Sequence, residues 1–134
     1  MKVKKLDHVI IAVEDVQTAA ASWEHIVGLK VDDSMDQPLG SGFKVARLPI
    51  GESFLELVQP VANEGRFYEQ YQERGEGMFS ISIEVEDLDA AVSHLAGKNV
   101  KVSEPEASIW PGASVARINR DHTNGVSIQL IERK

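Results

Sequence analysis

Two runs of β-forming residues stand out, one near the start of the chain and one just past its middle. They cover Leu6 to Val13 and Phe79 to Val85, and their composition is typical of strands. Each run is followed by an aspartate, Asp15 or Asp87, of a type that can act as a helix N-cap. The pattern therefore predicts two strand-to-helix units.

A helix is predicted after each aspartate, because apolar side chains recur there at helical spacing before a glycine, Gly28 or Gly97. The apolar stripes are Val16, Ala19, Ala20, Trp23 and Ile26, then Leu88, Ala91, Val92 and Leu95. Three short strands are predicted next in each half, with turn residues between them. These strands are Leu29 to Val31, Phe43 to Leu48 and Phe54 to Val58, then Val100 to Val102, Ser114 to Ile118 and Val126 to Ile131.

The two halves also resemble each other residue by residue. Val13-Glu14-Asp15 recurs as Val85-Glu86-Asp87, and Val45-Ala46-Arg47 recurs later as Val115-Ala116-Arg117. Leu55-Glu56-Leu57-Val58-Gln59 likewise matches Ile128-Gln129-Leu130-Ile131-Glu132. Three such matches in the same order indicate a duplication. The sequence therefore predicts an α+β fold made of two βαβββ repeats.

We expect one domain over residues 1–134, since a chain of this length can build one ordinary core and is too short for two domains of usual size. Repeat one covers about 4–60, a connecting segment about 61–76, and repeat two about 77–133. The connecting segment could form a short helix from Arg66 to Arg74.

Charge and composition narrow the function. The formal net charge is -7, with no basic run, so nucleic acid is not an expected partner. The early apolar run Val9 to Val13 is too short for a signal peptide or a membrane span, so we expect no membrane contact and a cytoplasmic protein. Without cysteine, any metal would have to be held by imidazole, carboxylate or amide oxygen.

The paired βαβββ pattern, with an early histidine and an acidic or amide residue in the last strand of each unit, resembles the vicinal oxygen chelate superfamily. This superfamily includes glyoxalases, bleomycin resistance proteins and dioxygenases. Within it, Gly75 to Val85 and Asn124 to Leu130 are similar to methylmalonyl-CoA epimerases and glyoxalase I-like proteins. The resemblance covers nearly the whole chain, and it implies curved mixed sheets around a central pocket.

The resemblance also implies a metal site. Family members hold a divalent ion with four inward side chains, and the matching positions here are His8, Glu56, Ser80 and Gln129. Serine stands where the family has a second histidine, and glutamine where it has a glutamate. His8, Glu56 and Gln129 are therefore the predicted ligands of a weakly bound Mn²⁺, Co²⁺, Ni²⁺ or Zn²⁺, with water completing the shell.

Simpler interpretations stay open for these residues. His8 could be satisfied by its neighbour Asp7 without any metal, and alternation along its strand could leave Glu56 in solvent. A polar interior is nevertheless predicted, because Ser80, Ser82 and Glu84 share one strand face. Trp110 could line the mouth of this pocket or simply pack in the core.

The resemblance implies an isomerase or lyase that acts on a small carbonyl compound or acyl thioester with assistance from a metal. Glu56 and Glu84 are the candidate catalytic acids, since a carboxylate must move the proton on the carbon next to the carbonyl. The alternative is a metal-free protein that binds or sequesters a small molecule, as the drug-resistance members do. The resemblance also implies a homodimer.

Overall fold

The computed structural model describes residues 1–36 and 42–134, with the side chains of 34–36 left aside. The chain forms two compact units, which we call the C-terminal unit, Met1–His8 with Ser80–Lys134, and the middle unit, Val9–Phe79. The boundary falls inside two strands rather than at the ends of the repeats. The assignment of all 134 residues to one domain stays a prediction.

The elements of the middle unit are the C-terminal part of β1 (Val3–Ala12), α1 (Val16–Val27), β2 (Asp33–Asp36), β3 (Phe43–Ile50), β4 (Ser53–Pro60), α2 (Arg66–Arg74) and the start of β5 (Gly77–Val85). Its strands follow the order β2-β3-β4-β1. The pairs β2–β3 and β3–β4 are antiparallel, with Arg47 opposite Glu56 in the second pair.

The C-terminal unit follows the order β1-β5-β8-β7-β6, and its sheet is mixed because β5 and β8 run parallel while β7 is antiparallel to β6 and to β8. Besides its parts of β1 and β5, it contains α3 (Leu88–Ala96), β6 (Glu106–Ala107), β7 (Ala113–Ile118), a 3₁₀ turn (Arg120–His122) and β8 (Ser127–Arg133). The predicted α+β class is confirmed.

Helices α1 and α3 begin as the sequence predicts. The Asp15 carboxylate accepts a hydrogen bond from the backbone N–H of Thr18 at 2.9 Å, and the Asp87 carboxylate accepts one from Ala90 at 3.0 Å. At the other end of α1, Gly28 adopts φ 76°, a left-handed conformation that glycine reaches without strain. The capping residues therefore set where these helices begin.

Each unit has a hydrophobic cluster beneath one of its helices, α1 or α3. In the middle unit Leu48 and Leu57 are fully buried and pack with Val13, Val16 and Ala46. In the C-terminal unit the buried members are Val85, Leu88, Ala91, Ala116 and Leu130. These clusters occupy matching positions of the two repeats, so the duplication predicted from sequence extends to the cores.

Two predicted strands are wrong. The segment Leu29 to Val31 is not a strand, and β2 begins only at Asp33. Val102 makes an isolated bridge with Ile118, and the strand that follows α3 is the two-residue β6. Leu29 and Val102 instead pack against the hydrophobic clusters, so their apolar character reflects burial rather than strand pairing.

In the parts of the chain that the structure describes, no helix has the length and apolar character needed to cross a membrane.

Candidate functional site

A row of polar side chains lies on the face of the C-terminal sheet that is turned away from the helix-side cluster. Strand alternation puts Ser80, Ser82 and Glu84 of β5 on this face, because Ile83 and Val85 pack in that cluster. The three side chains are buried, and Ser82 is completely inaccessible at 0%. Gln129 lies directly opposite Ser82 in the parallel register of β5 and β8. These side chains form a buried polar face, and their place in the wall of a ligand pocket stays a prediction.

A continuous chain of hydrogen bonds runs through this unit. Arg133 donates from Nε and a terminal nitrogen to the two carboxylate oxygens of Asp7, each at 2.8 Å. Asp7 Oδ2 lies 2.7 Å from Nδ1 of His8, and His8 Nε2 lies 3.0 Å from Oγ of Ser82. The Ser82 hydroxyl also accepts from Nε2 of Gln129 at 2.9 Å. Five side chains thus form one network.

The Asp7 carboxylate anchors this network as an anion. Burial alone would raise its pKa, but the hydrogen bonds from Arg133 and His8 and the charge of Arg133 outweigh that effect. The pKa of Asp7 consequently lies far below its usual range. An acid that is 1% exposed keeps its charge because a guanidinium binds it with two parallel hydrogen bonds.

Two further residues predicted for the site lie in the same unit. Glu84 is 7% exposed, and its carboxylate lies 3.6 Å from the Lys4 ammonium group. Trp110 is 6% exposed, and its backbone N–H bonds to the Ser108 hydroxyl at 3.1 Å. Burial of Trp110 agrees with the packing interpretation, and its contact with a ligand stays a prediction.

Glu56 belongs to the middle unit. It is 4% exposed and points away from the hydrophobic cluster that contains Leu55 and Leu57, so the solvent-facing alternative does not hold. Arg47 lies directly across from it in the antiparallel register of β3 and β4. The Arg47 guanidinium also bonds Asp32 at 2.9 and 3.1 Å.

The structure therefore brings His8 and Gln129 into one network through Ser82, a residue predicted only as part of the pocket wall. Ser80, which stands where the family has a second histidine, is buried at 6%. Reasoning from the sequence missed Asp7 and Arg133 as a pair. The only local signal for Asp7 was its position next to His8, and its partner lies 126 residues away along the chain.

The donor set does not fit a divalent ion held in the way the resemblance implies. Both nitrogens of His8 already have partners, and the Gln129 amide nitrogen donates to the same hydroxyl. Across residues 1–36 and 42–134, no group of three or more His, Cys, Asp and Glu is arranged to hold a metal. The ligand set His8, Glu56 and Gln129 stays a prediction that metal titration can test.

Comparisons with known proteins agree with this fold. Residues 7–116 match the family model of the glyoxalase/bleomycin resistance protein/dioxygenase superfamily. The chain is 30% identical over 128 residues to the mitochondrial methylmalonyl-CoA epimerase of Homo sapiens, covering 94% of this chain and 72% of that protein. It is also 30% identical over 131 residues to the ethylmalonyl-CoA/methylmalonyl-CoA epimerase of Cereibacter sphaeroides, covering 94% and 96%.

Solved structures show the same architecture. A hypothetical protein from Bacillus halodurans C-125 superimposes with a TM-score of 0.89 at 32% identity, covering 97% of this chain and 94% of that one. A Streptomyces coelicolor methylmalonyl-CoA epimerase variant in complex with 2-nitronate-propionyl-CoA gives 0.89 at 23% identity, covering 98% and 96%, which supports the fold alone. Together, the family match, the duplicated βαβββ pattern and the shared fold place the chain in the glyoxalase/bleomycin resistance protein/dioxygenase superfamily.

Proposed function

We propose that this protein is an isomerase that inverts the carbon next to the carbonyl of a short branched acyl-CoA thioester of the methylmalonyl type. The observation that carries the proposal is the 30% identity to two epimerases of this class over 94% of the chain. These relatives favour the isomerase branch of the superfamily over the lyase branch. The substrate is accordingly a small molecule bound through a thioester and a carboxylate.

The reaction needs a base that removes the proton on the α-carbon and an acid that returns one to the opposite face. Glu56 and Glu84 are the proposed groups, since each is a buried carboxylate that points away from the hydrophobic cluster beneath the helix of its own unit. One carboxylate takes the α-proton, and the electron pair of the broken C–H bond moves into the carbonyl to give an enolate. The other carboxylic acid then protonates that carbon, and both groups exchange protons with water before the next turnover.

The enolate oxygen needs hydrogen-bond donors where its charge develops. Gln129 is the proposed donor in the C-terminal unit, because its amide nitrogen carries two N–H groups and the bond to Ser82 occupies one of them. The Ser82 bond orients the amide, so Gln129 need not reorganise as the charge forms.

Deuterium exchange tests this proposal. Methylmalonyl-CoA is incubated in D₂O with protein that has been stripped by a chelator, and mass spectrometry follows incorporation at the α-carbon. The wild type should exchange the α-proton well above the buffer rate. Glu56→Gln and Glu84→Gln should each lower epimerisation by a factor on the order of 10²–10⁴. Glu104→Gln, an exposed control, should match the wild type.

A second candidate function is metal-free binding of a small ligand without turnover. Both ring nitrogens of His8 already have hydrogen-bond partners, as expected in a polar core whose groups are all satisfied. This arrangement favours binding without turnover over an open catalytic site. Calorimetry separates the two functions. Saturable binding of the thioester with no exchange above the buffer rate would reject the isomerase and support a sequestering protein.

We further propose a homodimer, as the resemblance implies, and a location in the cytoplasm. Light scattering at micromolar concentration tests the assembly, and a result of monomer alone would reject it. Fractionation of cells that express the full chain tests the location.

A further inference from the structure

His8 sits at the centre of the hydrogen-bond chain of the C-terminal unit, and both of its nitrogens are engaged. Nδ1 faces Asp7 at 2.7 Å and Nε2 faces the Ser82 hydroxyl at 3.0 Å. The two hydrogen-bond partners of the ring, Asp7 and Ser82, are 1% and 0% exposed. Solvent therefore does not compete for these bonds in the folded protein.

The direction of each bond follows from the Asp7 end. Arg133 donates to both carboxylate oxygens of Asp7, so this group is an anion that can only accept. When the His8 ring is neutral, its proton therefore lies on Nδ1 and its lone pair on Nε2. The Ser82 hydroxyl then donates to that lone pair and accepts from one N–H of the Gln129 amide, so each bond between Gln129 and Asp7 has one donor and one acceptor.

We infer that Ser82 and Gln129 take the place of a metal ion at His8, so that the polar cluster of this chain works without a metal. The lone pair that a divalent ion would need on Nε2 accepts the Ser82 hydroxyl. The amide that occupies a ligand position turns its nitrogen toward the same oxygen. Asp7 and Arg133 act as positioning residues, because they fix which nitrogen of His8 carries the proton. This inference does not depend on the reaction proposed above.

Nitrogen-15 NMR of the imidazole in the wild-type protein gives the first test, and it needs no variant. We expect the His8 ring to show the pattern of the neutral tautomer protonated at Nδ1. Addition of one equivalent of Ni²⁺, which imidazole binds well, should leave the signal unchanged. Selective loss or displacement of the His8 signal at one equivalent would overturn the inference.

Calorimetric titration with Ni²⁺ gives the second test. Each protein is measured with and without His8→Gln, so that binding by His25, His94 or His122 can be subtracted. The wild type should show no binding that depends on His8. Ser82→Ala frees Nε2 and releases the amide, so His8-dependent binding should appear at least about tenfold tighter than any in the wild type.

Two matched variants control for the substitution. Ser80→Ala removes the other inward serine of β5 and should behave as the wild type, while Ser82→Thr keeps the hydroxyl and should still exclude the ion. His8-dependent binding of equal strength in the wild type and in Ser82→Ala would overturn the inference. Absence of such binding from folded Ser82→Ala would also overturn it, since Ser82 would then not be what excludes the ion. If Ser82→Ala does not fold, the NMR test on the wild type decides.

Discussion

The two repeats use the same hydrophobic positions and the same helix caps, but their polar faces differ. Asp15 and Asp87 cap their helices in the same way, and the first helical N–H groups are bound by Gln59 at 2.9 Å and by Glu132 at 2.7 Å. Matching side chains build both clusters. The features that fold each repeat have therefore been kept through the duplication.

The polar faces have diverged in charge. In the middle unit Glu56 lies across from Arg47, whereas in the C-terminal unit Gln129 lies across from Arg117. The ion pair of Asp7 and Arg133 has no counterpart at the matching positions of the duplication. Those positions hold Phe79 and Pro60, which cannot form an ion pair. The contrast shows that folding restricts the residues at the hydrophobic and capping positions more strongly than those on the polar face. The polar face of each repeat is therefore free to acquire its own chemistry.

Truncation of matched core residues should have the largest effect on stability and should be equal in the two repeats. Leu57→Ala and Leu130→Ala each remove a side chain that is at most 3% exposed, and each should lower the free energy of unfolding by about 3 kcal/mol. Urea denaturation measures both. Ile26→Ala, at a position 73% exposed, is the control and should change little. A difference above about 2 kcal/mol between the two leucine variants would contradict the equivalence of the cores.

Removal of Arg133 should be the next most damaging change, and it has no counterpart in the middle unit. Arg133→Ala leaves the Asp7 carboxylate buried without its two hydrogen bonds. We expect a loss of about 2 kcal/mol, below the range for fully buried pairs because the Arg133 side chain is 31% exposed. Arg133→Lys should recover part of the loss, and the neighbouring Lys134→Ala should cost almost nothing. A loss below about 0.5 kcal/mol would mean that the pair is a surface contact.

The stabilisation that the Asp7 carboxylate provides should depend on pH, and the middle unit has no matching group. The pKa of Asp7 is lower in the folded protein than its ordinary value of 3.8, so the folded state favours the anion. The stabilisation is then fully present above that value and is lost as the pH falls below it. The stability difference between the wild type and Asp7→Asn should therefore be constant near neutral pH and should shrink below about pH 4. A difference that stays constant down to pH 2 would contradict this assignment.

Loss of a helix cap should have a smaller effect, again equal in the two repeats. Asp15→Ala and Asp87→Ala each remove the acceptor for one N–H group in the first turn, and each should cost about 1 kcal/mol. Thermal denaturation at neutral pH measures both, and Asp15→Ser and Asp87→Ser should retain most of the stability. Loss of more than about 2 kcal/mol in only one alanine variant would show that its aspartate does more than cap the helix.

Features set by local pattern were predictable from the sequence. The helix Arg66–Arg74 has the predicted bounds, and helices α1 and α3 begin just after their predicted caps. The strands that follow those helices were misplaced because runs such as Leu29 to Val31 are only three residues long. In so short a run, alternation cannot distinguish a strand from a buried connection.

The candidate site was predictable only as a set of positions. Strand alternation placed Ser82 and Glu84 on one buried face, and the duplication placed Gln129 on the matching strand. The sequence pattern could not show that Ser82 forms a hydrogen bond with His8, because that contact depends on how β1 and β5 pair. The Asp7–Arg133 pair joins the two ends of the chain, and no sequence period relates them.

The smallest expected effect tests whether charge alone separates the two polar faces. Residues directly opposite on antiparallel strands interact by roughly 0.2–1 kcal/mol when their charges are opposite. A double-mutant cycle of Arg47→Ala with Glu56→Gln should therefore give a coupling of about 0.5 kcal/mol in the free energy of unfolding. The Asp32 contact of Arg47 is lost in both arms of the cycle, so its contribution cancels.

A second double-mutant cycle tests the C-terminal unit. There, Gln129→Glu places a carboxylate opposite Arg117, as Glu56 already lies opposite Arg47. The new glutamate loses the amide bond to Ser82 in both arms, so that cost also cancels and a coupling of about 0.5 kcal/mol should appear. Urea denaturation of the wild type and of the single and double variants gives the free energies of unfolding that each cycle needs. If Gln129→Glu gains no coupling with Arg117 while Glu56 has one with Arg47, charge is not the only difference. The orientation of the side chain at position 129, which its bond to Ser82 sets in the wild type, would then also distinguish the two repeats.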